Sequence, residues 1–135
     1  MIVSISRWSR LNISLDQFDG IAHDSTLLVE FALQDGETKI PVNSTKFLYN
    51  GELHETKDGD AIPYCIHVIG IESITVSSEQ GHPEIYVTGL EQTQTEFRIV
   101  GMNGSLIFFG QALAVSFLRD DSSFAVVKAL EPYCE

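Results

Sequence analysis

Basic residues are scarce in this chain: eight lysines and arginines stand against nineteen aspartates and glutamates, a formal net charge of -11 over 135 residues. Binding to nucleic-acid backbones and to anionic membrane surfaces depends on neutralising phosphate with Lys and Arg, so both are disfavoured as direct partners. The shortage is uneven. No base occurs between Arg10 and Lys39, a stretch holding Asp16, Asp19, Asp24, Glu30, Asp35 and Glu37. None occurs between Lys57 and Arg98 either, where Asp58, Asp60, Glu72, Glu79, Glu84, Glu91 and Glu96 fall. One-signed runs of this kind aid solubility and speed encounter with a cationic partner.

Cysteine is equally sparse. Cys65 and Cys134 are too few and too far apart to form a disulfide framework. In a reducing compartment they are two free thiols, with Cys65 buried as a small hydrophobe; in an exported protein a bridge from the C-terminal tail to the strand around Cys65 is the alternative. The opening MIVSISRWSRLN has no basic segment followed by an apolar core and a small-residue cleavage site, which points to the cytoplasm.

Catalytic motifs are missing as well. There is no G-x-S-x-G elbow, no C-x-x-C pair, and Gly101, Gly104 and Gly110 match neither the dinucleotide fingerprint nor the P-loop. The stretch NGELHETKDGD, residues 50–60, gathers His54, Glu55, Asp58 and Asp60. No second histidine follows His54 one helical turn later, so the zinc-helix motif fails. With Asp58 as the first position of a calcium loop, Pro63 falls where the glycine belongs. Turns at Asn50-Gly51 and Asp58-Gly59 explain the same composition. His23, His67 and His82 are scattered, His67 alternating with Ile66 and Val68 in a strand and His82 preceding Pro83 in a turn. Neither catalysis nor a metal or cofactor is expected.

What the chain does have is alternation of apolar and polar residues in short runs separated by turn dipeptides, the pattern of antiparallel strands. LLVEFALQ-DG-ETKIPV predicts a hairpin at Asp35-Gly36 with Leu27, Val29, Phe31 and Leu33 on the core face. KFLY-NG-ELHE predicts another, with Phe47, Tyr49 and Leu53 buried. AIPYCIHVIGIESITV reads as strand with a bend at Gly70, and EIYVTGLEQTQTEFRIVG as a further pair. IVSISRW begins the chain as a strand, with Trp8 either an anchor for a partner or a partly buried ring. Ser14-x-x-Gln17 predicts a capped helical turn over 15–19.

The uncharged run from Ile99 to Leu118 has the length of a membrane span. Its three glycines, the Asn103-Gly104 turn signal and Gln111 favour two strands instead. QALAVSFLR and SFAVVKAL then form the last strand pair around Asp120-Asp121-Ser122, with helices capped by Ser105 and Ser123 as the alternative. The fold expected is a mostly β, single-domain antiparallel sandwich or partly closed barrel of about 8–10 short strands, carrying at most one or two short helices over residues 1–135.

Three functions fit. The first is an acidic intracellular binding or inhibitor protein that occupies a basic partner, such as an immunity protein or antitoxin covering the cationic groove of a nuclease-like toxin. Its contacts would be acids at turns: Asp16, Asp19, Asp58, Asp60, Asp120 and Asp121. The second is a small-molecule or enzymatic β-barrel lined by Tyr64, His67, Tyr86 and Phe108. The third is a subunit of a larger assembly, with the apolar segment from Leu106 to Leu118 as its interface.

Overall fold

The computed structural model describes residues 8–28, 33–34, 36–78 and 84–133. The chain is mostly β and antiparallel, as the alternation predicts. Nine strands form one continuous path: β1 (Trp8–Arg10), β12 (Ala114–Asp120), β7 (Ile62–Ile69), β4 (Glu37–Ser44), β2 (Thr26–Leu28), β9 (Glu84–Gln92), β10 (Glu96–Gly101), β11 (Gly104–Phe109) and β8 (Ser73–Ser78). A tenth, β3 (Leu33–Gln34), lies beside β4, while β5 (Lys46–Tyr49) and β6 (Glu52–Glu55) make a separate two-stranded ribbon. Two helices, α1 (Leu15–Ala22) and α2 (Phe124–Leu130), and a 3-10 turn over Glu131–Tyr133 complete the described elements.

The order of strands shows how the sheet is shaped. β7 and β8 stand six places apart along the path, which in a flat sheet is roughly 29 Å at the usual strand spacing. Only Gly70, Ile71 and Glu72 separate them in sequence, a link that reaches about 14 Å at most. β11 and β12 pose the same problem, being also six places apart and joined by residues 110–113. The sheet must therefore curl so that its two halves face one another, and the corners touch: Glu72 N–H donates to the Phe109 carbonyl at 2.7 Å. Among the described residues β1 and β8 remain as edges, and the sheet is not closed into a barrel.

Between the halves lies one core. β4 alternates strictly, with Thr38, Ile40, Val42 and Ser44 inward, and β9 and β10 contribute Ile85, Val87, Phe97 and Ile99. Phe18 of α1 is fully buried, stacked on Phe117 at 4.2 Å and edge-on to Tyr64 at 5.7 Å. The α1 helix starts where its sequence says it should. Ser14 accepts from Gln17 N–H, and the Gln17 side chain returns to Ser14 N–H at 2.9 Å. It runs past Gly20 to Ala22, beyond the single turn expected, because Phe18, Ile21 and Ala22 form one buried stripe.

Most turn assignments hold. Gln34 pairs with Glu37 around Asp35-Gly36, and Gly36 has a φ of 73°. The turn expected at Asn103-Gly104 falls one residue earlier, with Gly101 facing Gly104 across Met102-Asn103, and the uncharged run 99–118 holds parts of β10 and β12 and all of β11 rather than a membrane helix. No helix among the described residues is long and apolar enough to cross a membrane. The expected strand over SFAVVKAL is wrong. Asp120 accepts from Ser122 N–H and ends β12, after which Ser123 accepts from Val126 N–H and opens α2. The cap and the burial of Val126 on the helix's inner face override the β preference of two adjacent valines. Ser105 lies in β11 and caps nothing. Leu53 is exposed rather than buried. Val29, Phe31, most of the first strand and Cys134 lie outside the described residues, and with them the proposed Cys65 to Cys134 bridge.

Cys65 itself is buried, and burial pushes its thiol pKa up to about 11. Only the thiolate reacts with disulfide reagents. The native protein at neutral pH should therefore label at Cys65 at least tenfold more slowly than the unfolded chain, read by mass spectrometry of the peptide carrying it; equal rates would show that the site is open.

Candidate functional site

The β5–β6 ribbon leaves the main sheet between β4 and β7 and turns at Asn50-Gly51, whose φ values of 52° and 78° are those of a type I′ hairpin. Pairing places Phe47 opposite His54, and their rings stack at 5.5 Å. The same face carries Tyr49, directly opposite Glu52. Against this face sits the C-terminal turn: the Tyr133 ring stacks on Tyr49 at 4.1 Å, meets Phe47 edge-on at 6.4 Å and tilts over His54 at 5.6 Å. Its hydroxyl lies 3.5 Å from His54 Nδ1, at the outer limit of a hydrogen bond.

Between the ribbon and α2 these rings wall an open cleft of about 300 Å³. Phe47, His54 and Tyr133 supply the aromatic wall, Ala125, Ala129 and Pro132 the helical side, and Glu55, Thr56, Lys57, Asp60 and Lys128 the polar groups. Lys128 is not free to act as an isolated cation. Its ammonium group donates to Asp58 and, at 3.1 Å, to Asp60. The Lys128 hydrogen bond and charge hold the Asp58 carboxyl below its ordinary value, and the two aspartates raise the Lys128 pKa in return. Counting Asp58, three carboxylates meet two ammonium groups here; exposed Glu52 lies opposite Tyr49 on the ribbon, and exposed Glu131 opens the 3-10 turn that ends at Tyr133. On the outer side of α2, Phe124 and Val127 are exposed one turn apart.

No family model, curated protein or solved structure matches the chain.

The six acids expected at a partner interface have different surroundings. Asp58 and Asp60 come together on Lys128. Asp16 is exposed in the first turn of α1. Asp19 accepts from Leu90 N–H at 2.6 Å and ties α1 to β9. Asp120 holds Ser122, and Asp121 accepts from Arg119 Nε at 2.6 Å. Asp19 and Asp120 thus brace the fold, while the acids around the cleft, including Glu52, Glu55 and Glu131, share one corner of the molecule. The residues named for a barrel interior do not line one cavity: Tyr64 and Phe108 are buried in the core, Tyr86 is exposed, and His67 faces outward to Glu37 at 2.6 Å. Of the segment expected as an assembly interface, Leu106, Phe108 and Phe117 are core side chains, while Phe109, Ala112 and Ala114 are exposed. Among the described residues no group of three or more His, Cys, Asp or Glu is placed to hold a metal ion. His54 turns to Tyr133 while Asp58 and Asp60 turn to Lys128. Tyr133 and Lys128 were invisible as site residues because only the fold of the C-terminus brings them to residues 47–60.

Lys128 is a clasp between α2 and the β6–β7 loop, and its contribution has a definite pH sense. Asp58 has a depressed folded pKa, so the clasp is intact above the ordinary carboxylate range and opens as pH falls through the folded value. Both partners are exposed, so global stability should hardly change on substitution. Lys128→Met is expected to leave the unfolding midpoint nearly unmoved while the α2 amides lose hydrogen-exchange protection; acidification should add little further loss in the variant. Unchanged α2 protection in Lys128→Met would show that Val126 alone holds the helix.

Proposed function

We propose that this chain is an acidic binding protein that occupies a basic partner protein, in the manner of an immunity protein or antitoxin covering the cationic groove of a nuclease-like toxin. The cleft between the β5–β6 ribbon and α2 is its docking corner. The observation that carries this reading is the combination of aromatic wall and surplus carboxylate at one place. His54 and Tyr133, backed by the buried Phe47 ring, offer aromatic surface to a cationic side chain, Lys128 is already neutralised by Asp58 and Asp60, and Glu52, Glu55 and Glu131 are exposed beside them. The formal charge of -11 adds long-range attraction for a positive surface, and exposed Phe124 and Val127 add apolar area beside the cleft.

The test uses an oligo-arginine peptide as the probe, titrated against the protein and followed by amide chemical shifts. Residues 47–60 and 124–133 should move, and affinity should fall steeply as salt rises. Glu55→Lys combined with Glu131→Lys should reduce the association rate by roughly tenfold or more, the range of electrostatic steering. Binding that ignores salt, or shifts confined to other surfaces, would refute the reading.

A further inference from the structure

The two ends of the sheet are built differently. Among the described residues β1 covers Trp8–Arg10 and closes with exposed Arg10, an edge carrying a charge. β8 is the opposite: its six residues, SITVSS, contain no charge and no proline, and include three β-branched side chains. Soluble proteins usually blunt such an edge with lysine, proline, a bulge or a covering element. Here β8 is paired on one side only, with β11, in an unbroken register from Ser73 opposite Phe109 to Ser78 opposite Gly104. Its other row of backbone groups has no hydrogen-bond partner among the described residues.

We infer that β8 is a homodimerisation edge, pairing antiparallel with β8 of a second copy of this chain. The sequence of the strand is self-complementary in one register. Leu106 and Phe108 of β11 point into the core, so Ile74 and Val76, opposite them, share the inner face, and Ser73, Thr75 and Ser77 share the outer one. A two-fold axis perpendicular to the sheet keeps each face on its own side. With the axis at Thr75, Thr75 meets Thr75 of the second copy, Ile74 meets Val76, and Ser73 meets Ser77. Thr75 with Thr75 is a kind of pair that stabilises antiparallel strands, the two Ile-Val pairs bring β-branched apolar side chains together on the core side, and the two serine pairs set neither charge nor bulk opposite each other outside. Val76 is 48% exposed and gains an apolar neighbour.

Charge decides for a second copy over an oppositely charged strand. β8 itself carries no carboxylate for a basic segment, and that of Glu72, just before it, is held by Gln111 N–H at 2.6 Å, whereas two copies at -11 each repel over most of their surfaces and can approach at the uncharged strand. This gives the dimer the opposite salt response from docking of a basic partner: raising salt screens the repulsion and strengthens self-association.

The test is sedimentation equilibrium of the full chain over a wide concentration range at low and high salt. A species of twice the monomer mass should appear as concentration rises, and more of it at high salt. Thr75→Lys sets two like charges directly opposite at the axis, and is expected to weaken the dimer at least tenfold while leaving the far-ultraviolet spectrum and unfolding midpoint of the monomer unchanged. Thr75→Cys should crosslink to a dimer under mild oxidation, and Thr93→Cys, in the exposed β9–β10 turn, should not. A monomer at every concentration, or a dimer indifferent to Thr75→Lys, overturns the inference.

Discussion

Phe18→Ala should lower the free energy of unfolding by about 3–5 kcal/mol, the usual cost of deleting a fully buried aromatic ring. Phe18 has no exposed surface, stacks on Phe117 at 4.2 Å and packs edge-on to Tyr64. It is the point where α1, β12 and β7 meet, so the cavity opens between three elements and cannot be closed by a shift of one. Against a total stability of about 5–15 kcal/mol for a domain of ordinary size, such a loss threatens the folded state itself. Phe18→Leu keeps much of the apolar volume and loses the ring contacts, and should cost clearly less. Chemical denaturation of the two variants reads the difference. Near-equal destabilisation would mean that the ring geometry, not the filled volume, sets the energy. The effect reaches the cleft as well, because α1 packs on β5, one strand of the ribbon that carries Phe47. In Phe18→Ala the β5–β6 amides should therefore lose hydrogen-exchange protection before those of β10 and β11.

The β character was legible because it rests on local signals. Alternation over ETKIPVNS and EIYVTGLEQ marks one buried face, and Asn50-Gly51, Asp35-Gly36 and the Asn103-Gly104 neighbourhood fix the hairpins. The capping box at Ser14 is likewise a short-range device. α2 was misread because FAVV has the composition of a strand and becomes a helix through a turn and a cap that compete with that preference. The number of strands called for a sandwich or partly closed barrel, but the strand order that produces the curl could not be read, since it depends on which strands pair far apart in sequence. For the site, NGELHETKDGD drew attention to residues 50–60, where Glu55, Lys57 and Asp60 line the cleft. The aromatic wall needs Tyr133, and the neutralised aspartates need Lys128, both about 70–80 positions away. Only tertiary structure supplies those partners.

Gly70→Ala is expected to destabilise by more than the roughly 1–2 kcal/mol that a left-handed backbone costs a residue with a Cβ. Gly70 has a φ of 80°, so any replacement meets that penalty first. It also sits at the corner where β7 leaves one half of the sheet and β8 begins the other, and a Cβ there would collide with the carbonyl group of Ala112. That obstacle is backbone in the β11–β12 link, the second of the two short connections that hold the halves together, and it cannot rotate aside. Gly59 separates the two causes: its φ of 70° is similar, but nothing lies within 4 Å of its Cβ position. Gly59→Ala should therefore show the dihedral cost alone, and the excess in Gly70→Ala measures the close approach of the two corners. Equal losses in denaturant titrations would mean the corners can separate without cost, and that the curl is held by the core alone. A larger loss at Gly70 would tie the placement of β8, and with it the geometry of the free edge, to a single crowded contact between backbone segments.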